Sequence, residues 1–278
     1  MRKCVSDKST GNVAPAVRPA TRSRRQRTAF HAAVLQEEKG RRMNITLIGH
    51  STILIDGGGK KIITDPYFGL RGNIAFRRSP PPAKSRESQL DVDLVLLSHN
   101  HWDHTDRKYF KMLSSEVPVV APWKVQWISK LKGAKKVIGI RSWEQQQYGN
   151  IRITAVPAIH TAVTRGYVIE TEGKQIYFSG DTFYGPFMKR IARQFAIDVA
   201  LMPVTTYRIP QTMGERQALH AAEVLKPKVI IPIHRGIVPR SPLLRTNQSP
   251  ESFEHRICAM GLQTKVIVLK DGDEWGYS

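Results

Sequence analysis

Cysteine is almost absent from this 278-residue chain: there are two, Cys4 and Cys258, and neither belongs to a CxxC pair. That excludes a disulfide framework and fits a reducing, cytoplasmic compartment. Long apolar runs are missing as well. No stretch approaches 18 consecutive apolar residues, so no membrane span is expected, and the N-terminal segment has no apolar core of the kind a secretory signal needs. Acidic residues are scarce, 23 against 43 lysines and arginines, for a formal net charge of +20. Residues 1–42 hold 11 of the basic and 3 of the acidic residues, so they carry +8 and the remainder +12.

Apolar residues make up 41% of the chain, enough for a substantial core in one large α/β domain. Residues 1–42 lack strand alternation and are expected to be a basic, disordered extension. The domain is expected to span 43–278, with Met43 a candidate natural start. From Met43 onward, strand and helix signals alternate. "NITLIG", "STILID" and "KKIITD" form an expected meander, "DLVLLS" a buried strand, and "DRKYFKMLSS" a helix capped by Asp106. Residues 69–92 form a Pro-rich basic loop, longer than an ordinary connection and suited to a lid or binding loop. "WKVQWISKLKG" reads as an amphipathic packing helix. "IRITAVPAIH", "GYVIETEG" and "KQIYFSGDT" read as antiparallel strands. "DVALMPV" and "KVIIPIH" read as buried strands, each preceded by a helix, and "TKVIVLKDGDEW" as a closing strand. The pattern implies two sheets with helices outside and several strand ends meeting at one edge.

Ligand-type residues recur at those strand ends. His99, His101, Asp103 and His104 follow "DLVLLS"; His160 follows "ITAVPAI", Asp181 follows "QIYFSG", and His234 follows "KVIIPI". Rigid strand ends hold ligands with little reorganisation, and imidazole with carboxylate suits zinc and related divalent ions. In an extended segment His99 and His101 project the same way, while Asp103 and His104 follow where the chain turns. Five histidines and two carboxylates exceed one tetrahedral site. Two ions sharing a carboxylate and a hydroxide would use all seven.

The order HxHxDH, then His, then the Asp of "SGDT", then a last His after an apolar strand resembles the metallo-β-lactamase superfamily. "LIGHSTILID", "ITDP" and "SHNHWDHTD" look most like its branch containing ascorbate-6-phosphate lactonase and N-acylphosphatidylethanolamine-hydrolysing phospholipase D. The resemblance implies an αββα sandwich of two mixed β-sheets flanked by helices. It implies that His99, His101 and His160 hold one metal, that Asp103, His104 and His234 hold a second, and that Asp181 bridges them. True β-lactamases of this fold lack a bridging aspartate at that position, which points away from antibiotic hydrolysis. Zinc is the expected ion, with manganese or iron as alternatives.

The expected activity is hydrolysis of a small ester-like substrate, a lactone or phosphoester, by a metal-bridging hydroxide oriented by Asp103. The runner-up is a phosphodiesterase of phospholipase D or nuclease type, and behind it a non-hydrolytic iron redox protein. No aromatic–basic binding module is visible, so nucleic acid is disfavoured as a partner. His50 in "GHST" is a candidate substrate contact. Arg71, Arg77, Arg78, Arg208 and Arg235 fall near the expected site loops and suggest a rim that favours an anionic substrate. His220 and His255 are expected on exposed helix faces. Oligomeric state is left open.

Overall fold

The computed structural model describes residues 43–70 and 72–277. The expectations for residues 1–42 and for Arg71 lie outside them. The chain opens with β1 (Met43–Gly49), β2 (Thr52–Gly57) and β3 (Lys60–Thr64), then β4 (Phe76–Arg78), β5 (Leu94–Leu96) and helix α1 (Arg107–Met112). Next come β6 (Pro118–Pro122), α2 (Gln126–Leu131), β7 (Lys136–Ile140), β8 (Gln145–Tyr148), β9 (Ile151–Pro157), β10 (Arg165–Thr171) and β11 (Lys174–Phe178). The last part holds α3 (Phe187–Gln194), β12 (Val199–Pro203), α4 (Glu215–Leu225), β13 (Val229–Ile233) and β14 (Ile237–Pro239). It ends with α5 (Pro250–Ala259), β15 (Lys265–Val266) and β16 (Glu274–Tyr277).

Two seven-stranded mixed sheets result. The first runs β16-β1-β2-β3-β5-β6-β7 and the second β15-β13-β12-β11-β10-β9-β8. In the first, β1, β2 and β3 pair antiparallel and β3, β5, β6 and β7 parallel. The second repeats this, with β9, β10 and β11 antiparallel and β11, β12, β13 and β15 parallel. Strands running the same way end on the same edge, so β1, β3 and β5 deliver their C-terminal residues to one edge of the first sheet. The ends of β9, β11 and β13 share one edge of the second.

The continuous apolar runs are explained by burial on both faces. Leu94, Leu96, Val199, Leu201, Val229, Ile231 and Ile233 point into the core between the sheets. Their neighbours Val95 and Leu97 pack outward with Tyr109 and Phe110 of α1. Ala200, Met202 and Ile230 pack outward with Ile191 of α3, Leu219 of α4 and Phe253 of α5. The layering is helix, sheet, sheet, helix, the expected αββα sandwich.

Three local features differ from expectation. The long basic loop contains β4, which pairs with β14 in a separate two-stranded ribbon. "TKVIVLKDGDEW" forms two strands in different sheets, β15 beside β13 and β16 beside β1, because the turn at Gly272 carries the chain from one sheet to the other. The segment read as an amphipathic packing helix is shorter and less packed than expected: α2 has six residues, and Trp123, Trp127 and Leu131 on and beside it are exposed. Asp106 caps α1 as expected, accepting from Lys108 N and Tyr109 N. It also pairs with Arg86 at 2.7 Å, which fastens the long loop to the histidine motif.

Candidate metal centre

At the shared edge of the first sheet, Asp65 follows β3 and Ser98–His99 follow β5. The β3–β5 pairing matches Thr64 with Leu96, which sets Asp65 beside Ser98. Its Oδ1 accepts from Ser98 N at 2.7 Å and its Oδ2 from Ser98 Oγ at 2.5 Å. Ser98 Oγ, its proton directed to Asp65, lies 2.9 Å from His99 Nδ1, and Asp65 Oδ2 lies 2.7 Å from His104 Nδ1. One buried carboxylate thus draws the Nδ1 protons of both histidines inward, which leaves each Nε2 lone pair for a metal.

The second sheet supplies its candidate ligands one per strand end: His160 after β9, Asp181 after β11 and His234 after β13. Gly180, just before Asp181, has φ +56 and packs so tightly on the Ser98 side chain that a Cβ would collide with it. A glycine is required there, and it brings the second sheet's carboxylate against the first sheet's motif. Asp181 Oδ2 lies 3.0 Å from His234 Nε2, 3.3 Å from His104 Nε2, 3.8 Å from His160 Nε2 and 4.0 Å from His99 Nε2. His160 Nε2 is 3.3 Å from His101 Nδ1.

Two groups of ligand-type atoms that share no residue emerge, each within 4.8 Å of one another: His99, His101 and His160, and His50, Asp103, His104 and His234; a third, Asp65 with His99 and His104, overlaps both. His50 and His234 both have left-handed backbones, φ 59 and 64, and His234 N donates to His50 O at 2.9 Å. Strain of this kind persists only where surrounding structure holds it, and it joins the end of β1 to the end of β13. His50 Nε2 lies 3.4 Å from Asp103 Oδ2.

Burial favours the neutral form of His50, His99, His101 and His160, hence imidazoles ready to donate lone pairs. Burial, reinforced by neighbouring histidines, lowers His50 to about 3. His160 falls to about 4, chiefly through burial, and His99 well below its ordinary value for the same reason. His104 is the exception: burial opposes its charge, but Asp181, Asp65 and Asp103 outweigh it and raise its pKa well above the ordinary value. Burial works against ionised Asp103 and Asp181 too, yet adjoining imidazoles, His104 foremost, hold both below the carboxylate range. His99 Nε2, His104 Nε2, both ring nitrogens of His50 and Asp181 Oδ1 are buried without a well-formed hydrogen bond. Orphaned polar atoms of this kind are costly, and divalent cations would satisfy the lone pairs among them.

All seven metal candidates from the sequence meet at this edge, and Asp103 faces a cavity of about 220 Å³ together with His101, His160, Asp181 and His234. The arginines scatter. Arg77 and Arg235 line a neighbouring cavity. Arg78 is buried, its Nε donating to Pro80 O at 3.0 Å, and lines neither cavity; exposed Arg208 lines neither. His50 is buried within the ligand cluster and lines neither cavity. His220 and His255 are exposed. Sequence reasoning passed over Asp65 and Ser98, although "ITDP" ends a strand just as "SGDT" does. It also passed over Arg245.

Comparison with known proteins places the chain in a class. Residues 60–235 match the family model described as a β-lactamase superfamily domain. The chain belongs to the metallo-β-lactamase superfamily, and it is a metal-dependent hydrolase. A UPF0173 metal-dependent hydrolase of Methanopyrus kandleri is 29% identical over 245 residues, which cover 84% of this chain and 99% of that one. A UPF0173 metal-dependent hydrolase of Pelotomaculum thermopropionicum is 32% identical over 244 residues, covering 83% and 98%. Among solved structures, Igni18, a metallo hydrolase from Ignicoccus hospitalis, matches with a TM-score of 0.71 at 25% identity over 85% of this chain and 99% of its own.

Proposed function

We propose that the protein is a dinuclear hydrolase of small ester-like substrates, lactones or phosphoesters, acting through two divalent ions, zinc by preference of the donor set. The observation that carries this reading is the position of Asp181. Its Oδ2 lies within 4.0 Å of imidazole nitrogens from both ligand groups, where a shared carboxylate belongs. His99, His101 and His160 would hold one ion, Asp103, His104 and His234 the other, with His50 beside the second. Such ions, when bound, supply an activated water and polarise the scissile group.

The protein's own part is orientation and proton handling. Asp65 and Ser98 fix the ring orientation of His99 and His104. Asp103 is held ionised and faces the cavity, so it accepts a hydrogen bond from the attacking water and aims it. Phe76, Trp102 and Ile237 wall the cavity, and its small volume admits compact substrates. Among the described residues no helix is long and apolar enough to cross a membrane.

Lactones, phosphodiesters and thioesters offered to the zinc-loaded protein test the reading, with elemental analysis alongside. Two ions per chain and turnover of at least one class are expected, both reduced in His101→Ala. Turnover undiminished by that substitution would overturn the site.

A further inference from the structure

A second cavity, of about 400 Å³, adjoins the metal cluster, and Tyr207, His234 and Ile237 line both. The partition between them is the β4–β14 ribbon. Along β4 successive side chains face opposite ways, so Phe76 lines the metal cavity while Arg77 lines the second. The second cavity is lined by three arginines, Arg77, Arg235 and Arg245, and by no aspartate or glutamate. Among the described residues neither Arg77 nor Arg245 pairs with a carboxylate; Arg245 Nη2 reaches only Pro239 O, at 3.5 Å. Arg235 is held in place by donating from Nη2 to Leu269 O, and its buried Nε has no acceptor. The contrast with the metal cavity, which contains Asp103 and Asp181, is one of charge. One compartment collects carboxylates for cations. The other is lined by guanidinium groups, and of these only Arg235 has carboxylates, Asp271 and Glu251, near enough to act on it from behind the lining.

We infer that this second cavity is the binding site for an anionic group, a phosphate or a carboxylate, carried on the molecule whose ester bond lies at the metal cluster. Guanidinium forks match the paired oxygens of either group, and the volume falls within the range of small-ligand pockets. The shared wall at Tyr207 and His234 puts the two ends of such a molecule in adjoining compartments. The anionic end would fix which bond is presented for attack.

This inference rests on the hydrolase reading above, and its test separates the two. Three 4-nitrophenyl esters are compared on the full-length, zinc-loaded protein: a neutral acetate, a succinate with a free carboxylate, and an acyl ester ending in a phosphate. Charge reversal at Arg77→Glu and Arg245→Glu is expected to raise KM for at least one charged ester about ten-fold or more, the value of one charge-assisted contact. The neutral ester should change less than about two-fold. Which charged ester responds identifies the anion as phosphate or carboxylate. Equal losses on all three, or no loss on either charged ester, overturn the inference. If the unsubstituted protein cleaves none of them, the ester-hydrolase reading fails, and the cavity is judged by calorimetric titration with inorganic phosphate and with succinate. Binding weakened about ten-fold in the double variant supports the cavity; binding undiminished there belongs to the metals and overturns it.

Discussion

The two sheets carry the same pairing order and use it differently. In each, the first strand ends in a histidine and the third in an aspartate: His50 and Asp65 after β1 and β3, His160 and Asp181 after β9 and β11. Yet Asp65 turns inward to Ser98 and His104 Nδ1, whereas Asp181 faces four imidazole Nε2 atoms. Topology delivers a side chain to the edge, and the groups it meets there decide what it does. A carboxylate among Nδ1–H and O–H donors becomes an orienting group. The same carboxylate among Nε2 atoms from both ligand groups becomes a candidate place for cations.

The contrast can be broken most sharply at Asp181. Asp181→Ala should remove the proposed shared ligand and cost about 10³-fold in kcat/KM, several kcal/mol of transition-state stabilisation, with loss of bound metal by elemental analysis. If full metal content remained, Asp181 would be no different in kind from Asp65. Asp65→Asn should have a smaller effect, about 10- to 100-fold in metal affinity by chelator competition, because the ligands stay while their orientation loosens. A loss as large as at Asp181 would erase the distinction between orienting group and ligand.

The smallest effect lies away from the site. Asp198 accepts from Gln175 N at 2.8 Å and pairs with Lys228 at 2.8 Å, tying β11 to β12. Burial disfavours its charge, but these partners outweigh it and lower its pKa below the ordinary 3.8. Its contribution is therefore complete above that value and fades as pH falls through the lowered pKa. Asp198→Asn should cost about 1 kcal/mol at neutral pH and flatten the acid limb of the stability curve, with catalysis intact. An unchanged acid limb in denaturant titrations would show that the partners contribute nothing.

Much of this was legible before any coordinates. "DLVLLS", "DVALMPV" and "KVIIPI" announce strands buried on both faces, and each leads to the shared edge. The cluster "SHNHWDHTD" is visible because four candidate ligands lie in one short segment. His160 and Asp181 are legible by the same strand-end rule. That rule applied to "KKIITD" would have singled out Asp65, but a lone Asp before Pro also marks an ordinary turn. The β4–β14 ribbon could not be read, because three-residue strands carry too few residues for a period to register. The division of "TKVIVLKDGDEW" between two sheets was hidden for a related reason: an unbroken apolar run does not reveal which partner each half pairs with.

What the sequence alone determined is the longer strands and helices and the inventory of candidate ligands, since both follow from local pattern: alternation, capping and polar residues at strand ends. Only the tertiary structure decided the roles. It made His50 part of the cluster, Asp65 the support of two histidines and Arg78 a buried group, and it placed Arg245 beside Arg77 in a compartment without acids. Those assignments depend on distances between residues far apart in the chain, and such distances are set by sheet pairing rather than by the identity of neighbouring residues.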